Sequence, residues 1–170
     1  MKRQAWWQHR RQFILIAAAG VLVSVAVEAA PPLVPAKKLP PAIAQAMLKL
    51  KTEEKHWLEI NLSAQRLIAW NGSKPAYAVI VSTGKKATPT PTGLFSIYSK
   101  RPLDRMRGED YDIADVPYVL YFHQGYAIHG TYWHNRFGTP VSHGCINVAV
   151  DHAKWLFDWV AIGTPVIIHD

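Results

Sequence analysis

A single cysteine, Cys145, stands in 170 residues, so no internal disulfide can staple this chain and Cys-pair zinc sites are excluded. No apolar run reaches the roughly 20 residues that span a bilayer. The longest, Phe13 to Val27, stops short of that. Charged side chains are scarce at 18%, and no basic stripe with interleaved aromatics occurs, which argues against nucleic acid as a partner. The net charge of +7 is partly a feature of the first 30 residues: Lys2, Arg3, Arg10 and Arg11 against Glu28 put +3 there. The other 140 residues hold 15 basic and 11 acidic side chains, a surplus of only +4. What the chain does have is apolar and aromatic: 49% hydrophobic residues, with seven Trp, seven Tyr and five Phe, enough for one core.

The N-terminus joins a basic segment, the apolar run and the small residues Ala29 and Ala30, which reads as an export signal over residues 1–30, with Val27 to Ala29 as a cleavage site. An uncleaved membrane anchor is the competing reading, and Arg10-Arg11 resembles a twin-arginine pattern. Residues 31–54 follow as a spacer. Five prolines between Pro31 and Pro41, with Lys37 and Lys38, favour an extended chain, and Ala42 to Lys55 has the spacing of a short amphipathic helix with Ile43, Met47 and Leu50 on one side.

From His56 the apolar period becomes two. Trp57, Leu58, Ile60 and Leu62 precede a Ser63-Ala64-Gln65 turn, and Leu67, Ile68 and Trp70 precede Asn71-Gly72, a strong hairpin dipeptide. Further strands are expected over Ala76 to Val81, Leu94 to Tyr98, Val116 to Phe122, Tyr126 to His129 and Val166 to His169. The polar stretch Arg101 to Asp115 reads as a loop long enough to be a flap. A helix is expected where Val148, Ala149, His152, Trp155, Leu156 and Trp159 repeat at three and four. The expected fold of residues 55–170 is mostly β, a sandwich or distorted barrel with one short helix after the cysteine.

The segment Tyr126 to Asn147, YAIHGTYWHNRFGTPVSHGCIN, gathers three of the eight histidines around the only Cys. A thiol becomes a strong nucleophile when an imidazole takes its proton, so Cys145 with His129 or His143 has the parts for acyl transfer. Gly144 permits a turn whose amides converge on one spot, as an oxyanion site requires. Spacing alone leaves open which histidine is the base.

The pattern IHG, a loop, then SHGCIN, together with TPTGLFSIYSK and HWLEINLSAQRLIAW upstream, resembles the L,D-transpeptidase family, the YkuD-type catalytic domain that remodels bacterial peptidoglycan. The resemblance covers roughly Lys55 to Asp170. It implies Cys145 as nucleophile and His129 as general base, with the Gly130 carbonyl orienting the imidazole where some members have Ser. It further implies an oxyanion site from the amides of His143, Gly144 and Cys145, with Ser142 and the His143 ring shaping the pocket and Asn147 positioning substrate. Tyr132 and Trp133, with His134 and Phe137, would line the site and hold stem peptide or glycan. Tyr118 and Tyr121, on the preceding strand, would face the cleft.

The activity so implied is release of the terminal D-Ala from a tetrapeptide stem and transfer of the acyl group to an amine, giving 3→3 cross-links. Use of water would make an L,D-carboxypeptidase, and loss of chemistry a peptidoglycan-binding module. The partners are donor and acceptor stem peptides in the periplasm or cell wall, with the N-terminus as a tether if uncleaved, and no cofactor is called for. A metal site on His129, His134, His143 and Cys145 is the remaining alternative, and the five-residue step from His129 to His134 with no second Cys argues against it.

Overall fold

The computed structural model describes residues 38–170; the expected export signal and the spacer before Lys38 lie outside them. The elements in chain order are α1 (Pro41–Thr52), β1 (His56–Asn61), β2 (Arg66–Asn71), β3 (Lys74–Ile80), β4 (Gly93–Ser96), β5 (Ser99–Arg107), β6 (Asp112–His123), β7 (Tyr126–Thr131), β8 (Ile146–Ala149), α2 (Val150–Trp159) and β9 (Pro165–His169). They form two sheets, β3-β2-β1-β9-β4 and β5-β6-β7-β8, and no closed barrel.

The first sheet follows from the period-two pattern. Leu58 and Ile60 of β1, Leu67 and Ala69 of β2 and Val166 and Ile168 of β9 all point into one core. β1 pairs antiparallel with β2 and parallel with β9. At the β2–β3 turn Gly72 has φ +55, a left-handed conformation that glycine adopts without the Cβ clash. α1 opens on Pro41, whose fixed φ suits the first helical turn and whose missing N–H is no loss there. It carries Lys49 and Lys51 in its last turn, where the helix dipole favours cations. Ile43 and Met47 bury against Trp57 and Ile167 on the outer face of this sheet. The helix stops at Thr52, short of the expected Lys55, because Glu53 is already extended.

The second sheet closes the core from the other side with Leu120, Phe122, Ile128, Ile146 and Val148, and α2 adds Ala153 and Leu156. Lys100 of β5 donates to the carbonyls of Phe157 and Val160 and so caps the C-terminal end of α2. Two expectations need correcting here. The stretch 101–115 is not a loop: most of it is the β5–β6 hairpin, paired from Ser99↔Tyr121 to Arg107↔Asp112. It reads as polar because Arg105 and Arg107 meet Asp112 across the strands. Val148 and Ala149 are strand rather than helix, because β8 pairs in parallel with β7 through Ile128↔Ile146 and Gly130↔Val148. His152 meets the Tyr77 hydroxyl and His169 meets Glu59. Among the described residues no helix is long and apolar enough to cross a membrane.

Candidate active site

Alternation along β7 sends Ile128 into the core and Gly130 toward Pro117 and Ala153, so His129 faces the opposite side of the second sheet. On β8, Ile146 and Val148 likewise go to the core and Asn147 to the other side. The β7–β8 register pairs His129 with Asn147, and two residues back along both strands it sets Cys145 beside Ala127. His129, Cys145 and Asn147 therefore share one face, and all three line a cleft of about 320 Å³. Met106, Tyr111 and Ile113 of the β5–β6 hairpin form another wall of that cleft.

His129 is buried, and its Nδ1 lies 3.0 Å from the Gly130 carbonyl oxygen. A carbonyl can only accept, so Nδ1 carries the proton and the Nε2 lone pair is left to take another. Burial pushes the imidazole down to about 4, with the Gly130 carbonyl opposing that shift and His134 adding slightly to it. The Cys145 thiol is pushed up by burial, and the Ala127 N–H acts in the opposite sense. Both shifts disfavour the charged form of their group. Gly130 itself has little room to vary, since a Cβ there would lie 2.8 Å from Pro117 Cγ.

The turn that delivers Cys145 is braced by the segment between β3 and β4. Ser82 and Gly84 bridge to Asn147 and Ser142. Buried Thr90 accepts the Gly84 N–H at 2.8 Å and donates to the Gly144 carbonyl at 2.9 Å. Gly144 has φ +112, and a Cβ there would lie 2.3 Å from the Tyr126 ring, so glycine is required twice over. One expectation changes at this turn. The Gly144 N–H donates to Ser142 Oγ at 3.0 Å, and Ser142 Oγ donates on to the Cys145 carbonyl, so the Gly144 amide is already engaged and an oxyanion would fall to the amides of His143 and Cys145.

The loop between β7 and β8 holds the remaining expected residues. Trp133 lines the cleft with its ring 5.7 Å from that of His129. His134 Nδ1 accepts the Arg136 N–H, and its Nε2 lies 2.8 Å from the side-chain amide nitrogen of Asn147. Burial and Arg136 both lower the His134 pKa and keep that ring neutral. Tyr132 is displaced from the cleft lining: it is 59% exposed and its hydroxyl donates to the Ala114 carbonyl, tying the loop to β6. Tyr118 lies elsewhere, against Phe157 of α2, because φ +57 turns the strand locally and sends its ring toward the helix. Tyr121 donates to Asp104; burial and that carboxylate push its hydroxyl up to about 12. Among the described residues no three His, Cys, Asp or Glu side chains are arranged to hold a metal ion.

Residues 55–168 match the description of the L,D-transpeptidase catalytic domain, the YkuD family. The chain belongs to the L,D-transpeptidase family. L,D-transpeptidase 1 of Mycobacterium tuberculosis is 34% identical over 97 residues, half of this chain and 39% of that protein. A solved structure of LdtMt1 in complex with imipenem superposes with a TM-score of 0.63 at 28% identity, over 67% of this chain and 58% of that one. The catalytic domain of the Enterococcus faecium L,D-transpeptidase, solved by NMR, superposes with 0.62 at 30% identity over 68% of this chain and 98% of that one. The chain thus spans about two fifths of the curated M. tuberculosis relative and nearly all of the isolated enterococcal domain.

Within this L,D-transpeptidase domain, sequence reasoning missed Thr90, Lys85, Asp110 and Tyr111. Thr90 had a signal, the rigid Thr-Pro-Thr-Gly corner. The others meet His143 only through the tertiary fold: Lys85 Nζ and Asp110 Oδ2 each lie 3.1 Å from its Nε2, and the Tyr111 ring stacks on it.

Proposed function

We propose that this protein is a peptidoglycan L,D-transpeptidase in which Cys145 is acylated by a tetrapeptide stem and passes the acyl group to the side-chain amine of a second stem. The observation that carries the reading is the shared face: His129 with Nε2 free and Cys145 line one cleft, and the imidazole is held in the basic tautomer by Gly130.

Because burial disfavours charge on both the thiol and the imidazole, proton transfer accompanies attack. Cys145 Sγ gives its proton to His129 Nε2 as the sulfur bonds to the carbonyl carbon of the third stem residue, and the amides of His143 and Cys145 receive the oxyanion. Collapse breaks the C–N bond, and the His129 proton goes to the departing amine, so D-Ala leaves neutral at nitrogen and a thioester remains. An acceptor amine then loses a proton to His129 while its nitrogen bonds to the thioester carbon, and the sulfur leaves and recovers that proton.

Residues 1–30 then act as the export signal or anchor, residues 31–54 as the spacer, and the domain works on the wall outside the cytoplasmic membrane. The same thiol would open a carbapenem ring to a covalent adduct.

Mass-spectrometric analysis of products from the full chain with a disaccharide-tetrapeptide tests this. A cross-linked dimer with release of D-Ala, absent in Cys145→Ala, is the expected result. Tripeptide without dimer would replace the acceptor by water and make the protein an L,D-carboxypeptidase. An intact stem after prolonged incubation with folded protein would overturn the enzymatic reading and favour a peptidoglycan-binding module.

A further inference from the structure

His143 stands two residues before the nucleophile on the wall of the same cleft. Its Nε2 has two neighbours at 3.1 Å: the ammonium of Lys85, from the segment after β3, and the carboxylate of Asp110, from the tip of the β5–β6 hairpin. Tyr111, the next residue along the tip, stacks its ring on the imidazole at 4.8 Å and so holds the ring plane. A single ring nitrogen cannot accept from an ammonium and donate to a carboxylate at once. When Nε2 carries a proton it holds the carboxylate, and when it does not it takes the ammonium and the carboxylate is released. Asp110 is therefore loosely seated, its side chain 65% exposed and held by the His143 ring rather than by an ion pair with Lys85.

We propose that Lys85 and His143 form a carboxylate seat, its His143 side occupied by Asp110 while the cleft is empty and the whole taken by the terminal carboxylate of the donor stem when substrate binds. This rests on the proposed transpeptidase reading and adds to it the reason for cutting at the end of the stem. The attacked carbonyl lies one residue from the free end of the donor, and consecutive residues are about 3.8 Å apart. The terminal carboxylate must therefore lie within one residue's reach of Cys145, in the cleft that His143 also lines. A donor extended or capped at that end presents no carboxylate there and leaves Asp110 in place. Arg136 also lines the cleft, with no acidic partner among the described residues, and is the competing carboxylate binder. The seat is favoured over it because a carboxylate already sits there.

Steady-state kinetics of the full chain on two donors, a disaccharide-tetrapeptide with a free terminal carboxylate and the same donor as its carboxamide, tests the seat. The wild type is expected to prefer the free acid by about tenfold in kcat/KM, as one charge-assisted hydrogen bond would give. Lys85→Gln should shrink that preference to about twofold or less, through KM of the acid donor. Asp110→Asn should act in the opposite direction, lowering KM for the acid donor, because the resident competitor is gone. Circular dichroism reports whether Lys85→Gln is folded, and the opposite sign expected of Asp110→Asn decides the matter if it is not. Equal rates on both donors, a preference that survives Lys85→Gln, or one lost in Arg136→Gln instead would overturn the seat and leave transpeptidation standing. Failure to cut either donor would overturn both.

Discussion

β2 and β7 are both six-residue strands, yet only β2 alternates between buried and accessible positions. From Ala127 onward every residue of β7 is buried. In β2 one side packs the core and the other is only half-buried, with Trp70 against the α1 cluster. In β7 the second side is covered as well, by the β5–β6 hairpin and the loop that carries Trp133. Where alternation fails on a strand of an otherwise two-faced sheet, something has been built over the outer face, and here it is the cleft of Cys145 and His129. Under the proposed function the two strands divide the labour: β2 contributes stability and β7 carries the proposed base, His129.

The largest effect that would sharpen this division is on rate. His129→Gln removes the base while keeping a polar side chain of similar size, and should lower kcat by about 10²- to 10⁴-fold with little change in Tm. A comparable fall in Tm would mean that β7 is structural like β2. Leu67→Ala, on β2, should do the converse, costing about 2–5 kcal/mol of stability in a denaturant titration. Leu67 is fully buried in the shared core.

Acid should also tell the strands apart. An unfolded histidine takes up its proton near 6.5 and buried His129 near 4, so between those values the unfolded chain binds more protons. The His129 contribution is fully present above pH 6.5 and is lost as pH falls to 4, by about 3 kcal/mol in all. Comparing wild type with His129→Gln isolates it, and parallel stability curves would contradict it. A smaller effect is expected at Thr90→Val, which deletes the hydroxyl joining Gly84 to Gly144. A loss of about 1–3 kcal/mol, with kcat falling more than KM rises, would place Thr90 as a positioning residue for the nucleophile turn.

The same contrast explains what could be read from sequence. The first sheet was legible because Asn71-Gly72 marks a turn and the apolar residues beside it alternate. The proposed nucleophile and its histidine could be picked out because SHGC and IHG are local. The β5–β6 hairpin was not, since its charged residues pair across strands and their polarity resembles that of a loop. Nor could sequence show that Ser142 takes the Gly144 amide, because that bond depends on the turn the chain adopts. Tyr118 was misplaced for a related reason: a strand position predicts a face only while φ stays extended.

The central claim is that the sulfur of Cys145, deprotonated by His129 only as it attacks, carries the acyl group. Intact-mass spectrometry of the full chain, quenched during turnover of a disaccharide-tetrapeptide, tests it most directly. The account predicts an adduct equal to the donor less D-Ala, mapped to Cys145 by peptide digestion and absent in Cys145→Ala. D-Ala released at the wild-type rate by Cys145→Ala, with no adduct on either protein, would contradict it.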